Sequence, residues 1–114
     1  MKFPSKAEFL DAFGIEPVEE DPNLAYCRYL KQSSDGLEEM DISFSAVAES
    51  FQVVLRSGGR PLMTVSSEQV QLIELRRDRS GSSIHVVFDI SGATSEAVVT
   101  MEPDLQCNWW TLRC

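Results

Sequence analysis

Any chemistry in this chain would have to start from one histidine, three cysteines and a scatter of carboxylates. His85 sits in Ile84-His85-Val86-Val87-Phe88, where apolar residues recur at every second position as in a strand, so it reads as a solvated or hydrogen-bonded strand histidine. No second histidine can join it at a metal. Cys27, Cys107 and Cys114 are odd in number and lack CxxC spacing, which suggests neither a disulfide framework nor a zinc site. Ser91-Gly92-Ala93 does not make the GxSxG turn of a serine nucleophile, and Gly58-Gly59 lacks the surroundings of a phosphate loop. The carboxylate pairs Glu19-Glu20 and Glu38-Glu39 would need a cleft and shifted pKa values to do acid–base work. Each of these residues has a structural place instead. The expectation is therefore no enzyme, no catalytic residue, no metal and no cofactor.

Among the elements, Gln69 to Ile90 reads as a hairpin on which the rest of the chain is arranged. With Ser80-Gly81 as a two-residue turn, Leu75 falls opposite Val86 and Ile73 opposite Phe88. The other face then carries Leu72, Glu74, Arg76, His85, Val87 and Asp89. Upstream, Ser5-Lys6-Ala7-Glu8 has capping-box spacing, and Phe9, Leu10 and Phe13 follow at helical intervals up to Gly14, which predicts a short helix with a phenylalanine core set. Ile15 to Asn23, with two prolines and four acids, reads as an extended surface connection.

Asp35-Gly36 predicts a second hairpin through a type I′ turn, pairing Lys31 with Met40, Tyr29 with Ile42 and Cys27 with Phe44. Its outer face would gather Arg28, Leu30, Gln32, Glu39, Asp41 and Ser43, with Arg28 diagonal to Asp41 in an exposed pair worth on the order of 0 to 1 kcal/mol. Ser45 to Ser50 is compatible with a helical turn or a bulged crossing. Phe51, Val53 and Leu55 then alternate up to Gly58-Gly59, a third hairpin returning over Leu62 to Val65. Ser66 to Gln69 has the spacing of one helical turn. Ala97, Val99 and Met101 mark a strand ended by Pro103, and Asn108 to Arg113 a last one, with one indole and Leu112 in the core. The sum is an α+β fold in one domain over residues 1–114, a short N-terminal helix packed on a mostly antiparallel, meandering sheet of six to eight strands.

The 114 residues carry a net charge of -8. That balance argues against nucleic acid, whose phosphates require clustered Lys and Arg, and favours basic partners. Residues 1–50 hold eleven Asp and Glu against four Lys and Arg, so the acidity is concentrated in the first half. The only basic cluster, Arg76-Arg77-Asp78-Arg79, lies at a hairpin rim where arginine discourages strand-edge pairing. The N-terminus has no signal-peptide core, and no run approaches the roughly 18 apolar residues of a membrane span. A cytoplasmic protein without membrane contact is expected.

A small, acidic, sheet-rich chain lacking a catalytic constellation suits a protein that covers another protein. The chain resembles the bacterial immunity proteins of polymorphic and contact-dependent growth inhibition toxin systems. The resemblance rests on the helix end Ala12-Phe13-Gly14-Ile15-Glu16-Pro17, on Ile42-Ser43-Phe44-Ser45 through Glu49-Ser50-Phe51-Gln52-Val53, and on Trp109-Trp110. It implies tight binding to a cognate toxin domain, often a nuclease, whose substrate cleft is blocked. No functional residue is transferred by position. From the charge asymmetry the expected partner-binding residues are Glu19, Glu20, Asp21, Glu39 and Asp41, with Trp109 as an apolar anchor. The alternative is a cytoplasmic secretion chaperone or adaptor, which would devote more chain to helices and dimerise through them. A third reading, a ligand-binding or enzymatic sheet domain, requires a deep pocket around His85.

Overall fold

Ser5 and Glu8 exchange side-chain-to-backbone hydrogen bonds of 3.2 and 3.3 Å, completing the capping box that starts α1 (Lys6–Phe13), and Gly14 closes the helix with its N–H on the Leu10 carbonyl. This computed structural model describes residues 2–112, with side chains as far as Trp109. After the helix, nine strands follow among the described residues: β1 (Glu19–Asp21), β2 (Tyr26–Gln32), β3 (Glu38–Ser45), β4 (Ser50–Ser57), β5 (Arg60–Ser67), β6 (Val70–Asp78), β7 (Gly81–Ile90), β8 (Ala93–Glu102) and β9 (Gln106–Leu112). All strand pairs are antiparallel and the order is that of a meander, as expected. The meander is divided into a five-stranded sheet, β1 to β5, and a four-stranded sheet, β6 to β9, so there are two sheets and nine strands where one sheet of six to eight was expected.

The division falls between Ser67 and Val70. No helical turn forms there: β5 runs on through Ser67, Gln69 takes a left-handed φ of 56°, and Val70 resumes in the second sheet with its N–H on the Glu49 carbonyl. The additional strand is β1. The acidic connection Ile15 to Asn23 pairs in part, Glu19 with Arg28 and Asp21 with Tyr26, before Pro22 starts a short 3-10 turn.

One core holds the layers together. The inward residues of the first sheet (Tyr29, Met40, Ile42, Phe44, Phe51, Val53, Val65) and of the second (Ile73, Ile84, Val86, Phe88, Ala97, Val99, Met101) form a single buried cluster with Phe9 and Phe13. The Phe9 ring stacks on Tyr29 at 4.0 Å between centroids and lies 5.8 Å from Phe44, which fastens the helix to β2 and β3. Leu10 faces solvent, and Phe3 stays on the rim against Phe44.

The hairpin registers show which turns the residues dictate. Lys31, Tyr29 and Cys27 do pair with Met40, Ile42 and Phe44. Gly36 alone has a positive φ there, so the turn is not type I′; the Gly36 N–H on the Ser33 carbonyl, with Asp35 accepting from Leu37 N–H, keeps the same register in a longer loop. Gly58 and Gly59 both have positive φ and join Ser57 to Arg60 as a type I′ turn requires. The central hairpin differs from expectation by two positions: Leu75 pairs with Ile84 and Ile73 with Val86. The turn is Arg79-Ser80, held by the Asp78 carboxylate on the Ser80 N–H at 2.8 Å, and Gly81 belongs to β7. Glycine is needed at 81 because a Cβ would run into the Glu102 carbonyl oxygen. A two-residue shift preserves the faces, so the buried set is unchanged.

Candidate protein-binding face

The pleat turns every second residue of the first sheet away from the core, and the observed register lines those residues up in rows across the strands. One row runs Glu19, Arg28, Ser43, Gln52, Ser66; the next runs Leu30, Asp41, Val54, Thr64; a third runs Gln32, Glu39, Arg56, Pro61. Asp41 is thus diagonal to Arg28 on one side and to Arg56 on the other. Arg28 donates from Nε and Nη2 to the two Asp41 carboxylate oxygens at 2.9 and 2.8 Å, and Arg56 Nη1 donates to Asp41 Oδ2 at 2.8 Å. Longer ion pairs extend the network, from Arg28 to Glu19 at 3.5 Å and from Arg56 to Glu39 at 3.4 Å.

Asp41 is only 7% exposed, so the expectation of an exposed pair of little worth is corrected. Two guanidinium groups roof the carboxylate, which sequence reading supplied with one. The hydrogen bonds from Arg28, aided by Arg56, hold the Asp41 carboxyl below its ordinary range despite the opposing cost of burial, and Asp41 in turn pushes the Arg28 pKa up. Asp41 and Arg28 are therefore both charged at neutral pH.

The other expected binding residues are distributed as follows. Glu19 and Glu39 stand on this outer face as the flanks of the network. Asp21 is at the end of β1, its carboxylate accepting the Asn23 N–H at 3.0 Å. Glu20 alternates to the opposite side and pairs with Lys6 of α1 at 2.9 Å. Trp109 is 48% exposed, but it lies on β9, the edge of the other sheet, opposite Ala97 and 6.0 Å from the Phe88 ring. The acids and the indole are therefore on different sheets. The expectations for the Trp110 and Leu112 side chains lie outside the described residues. Sequence reading missed Arg56. The alternation Phe51, Val53, Leu55 places it outward, but its position opposite Glu39 depends on the Ala46–Glu49 turn, whose conformation the composition left open.

His85 is half-buried on the outer face of the second sheet opposite Glu74 and Val98, where burial first and Arg76 second lower its pKa, so it is neutral at pH 7. Burial pushes the Cys27 and Cys107 thiols up, away from the reactive thiolate. Among the described residues no group of three or more His, Cys, Asp or Glu is placed to hold a metal ion, and no helix is long and apolar enough to cross a membrane.

The chain is a two-sheet antiparallel scaffold with a capped N-terminal helix and a polar outer face crossed by the Asp41 network. It superposes on a chain of the contact-dependent growth inhibition toxin and immunity protein complex from Klebsiella pneumoniae 342 with a TM-score of 0.88, 21% sequence identity, and coverage of 97% of this chain and 96% of that one. The fold is shared from end to end. No protein-family model matches the chain, and no curated protein matches it in sequence.

Proposed function

We propose that this chain is an immunity protein that binds and neutralises a cognate toxin domain by occlusion, without turning over a substrate, in the cytoplasm of the cell it protects. The observation that carries the reading is the coincidence of a toxin–immunity fold with an acid-flanked outer face fixed by the buried Asp41 network. The toxin class we favour is a nuclease. Such a domain needs basic surface to hold phosphate, and an acidic protein that covers that surface gains steered association from the same charges. Glu19, Asp21 and Glu39 then contribute charge to the contact, and Asp41 acts by positioning Arg28 and Arg56. Glu20 and Trp109 serve only a partner that wraps beyond this face. A secretion chaperone is less well supported, because the one α-helix among the described residues is eight residues long.

Co-expression tests the reading. Cells producing the C-terminal domain encoded by the adjacent upstream gene should survive when this chain is present, and a Glu19→Lys/Glu39→Lys variant should bind that domain more weakly at low salt, with the difference shrinking at high salt. Death of the cells despite soluble immunity chain, or affinity indifferent to the reversal, would count against it.

A further inference from the structure

Part of the outer face lies beside the Asp41 network. Between the row Arg28, Ser43, Gln52, Ser66 and its neighbour Tyr26, Ser45, Ser50, the sheet surface sinks into a hollow of about 440 Å3. Phe44 and Phe51 border it as well, and because their side chains are in the core, they offer it backbone. A second hollow of about 220 Å3 over Arg28, Asp41 and Arg56 shares Tyr26, Ser43 and Gln52 with the first, so the two form one trough across the strands. Five strands spaced by roughly 4.8 Å make it about 19 Å long, the span of about six extended residues.

Its lining is under-used by the chain itself. Among the described residues, the side chains of Ser43, Gln52 and Ser66 make no hydrogen bond and Glu68 makes no ion pair. Serine is a weaker strand former than threonine or valine, so serines at positions 43, 50 and 66 of paired strands cost local preference and leave room on the surface. The charges are arranged to suit a cation. Asp41 occupies Arg28 and Arg56 in the interior of the trough, while acids stand at its ends, Glu19 from β1 and Glu68 beyond β5.

We infer that this trough seats an extended basic segment of the toxin. A Lys or Arg head meets Glu68, and the segment's peptide groups hydrogen-bond to Gln52, Ser43 and Ser66. The inference rests on the immunity reading and adds to it the surface and the chemistry of the occupant. The probe is the purified C-terminal domain encoded by the adjacent upstream gene, titrated by calorimetry into the full chain. Gln52→Arg and, independently, Ser66→Arg should each weaken binding at least about 30-fold by filling the trough with a like charge. Thr94→Arg, on the outer face of the other sheet, should leave affinity unchanged, and Glu68→Gln should slow association at low salt only. Both trough variants stand on exposed positions, and an unchanged urea midpoint verifies their fold. Parent-like affinity in both trough variants, or a loss in Thr94→Arg instead, overturns the trough and leaves the immunity reading standing. Failure of the parent chain to bind the probe overturns both.

Discussion

Replacing Asp41 by Asn tests the feature that most distinguishes this sheet from a plain one. The substitution keeps the shape and removes the charge that three short hydrogen bonds from Arg28 and Arg56 converge on. Breaking a buried ion pair from one side costs about 3 to 5 kcal/mol, because the partner is left without compensation. Here the loss is smaller. The Arg28 and Arg56 side chains are 34% and 27% exposed and retain Glu19 and Glu39, so both can rehydrate in part. We expect about 2 to 3 kcal/mol, read as a lower urea midpoint at unchanged slope and as a Tm lowered by roughly 10 °C. The pH dependence has a definite sign. The folded pKa of Asp41 lies below its unfolded value near 3.9, so its stabilisation is complete above that value and is lost as the pH falls through the folded pKa. Protonated Asp resembles Asn, and the gap between parent and variant should therefore be widest at pH 7 and close on acidification. A gap under about 0.5 kcal/mol at pH 7, the level of an ordinary surface change, or one that persists unchanged in acid, would refute the argument.

Two further outcomes follow from the core and from the histidine. Phe9→Ala removes a fully buried ring stacked on Tyr29 and should cost about 3 to 5 kcal/mol in urea unfolding, whereas Leu10→Ala on the exposed side of the same helix should stay within about 0.5 kcal/mol. The single imidazole, followed by NMR, should titrate with a midpoint below the ordinary 6.5. Because its folded pKa is the lower one, the stability it contributes is present above pH 6.5 and lost as the pH falls through the folded value; a midpoint above 6.5 would show that Glu74 and Glu96 outweigh burial.

What the residues made legible was mostly local and periodic. Alternation alone assigned Ile84, Val86 and Phe88 to the core, and it survived a two-position error in the central register because such a slip returns every side chain to its own face. The paired glycines at 58 and 59 marked their turn correctly, since two successive positive φ angles leave little other choice. Gly81 misled because it is there for lack of space against Glu102 and not for a turn. The break between the sheets was illegible for a different reason. The left-handed Gln69 stands at the break, and glutamine carries no signal for that conformation. The Asp41 network was half visible: its β2 side follows from the Asp35-Gly36 hairpin, but its β4 side depends on a turn at Ala46–Glu49 with no characteristic residues.

The pleat gives alternate letters of the same strands unequal burdens. Phe44, Phe51 and Val65 are constrained by their packing, whereas the side chains of Ser43, Gln52 and Ser66, one step away along the chain, make no hydrogen bond among the described residues. Mutations at the latter positions are thermodynamically cheap, and so the outer surface of this scaffold can be rewritten while its stability is kept.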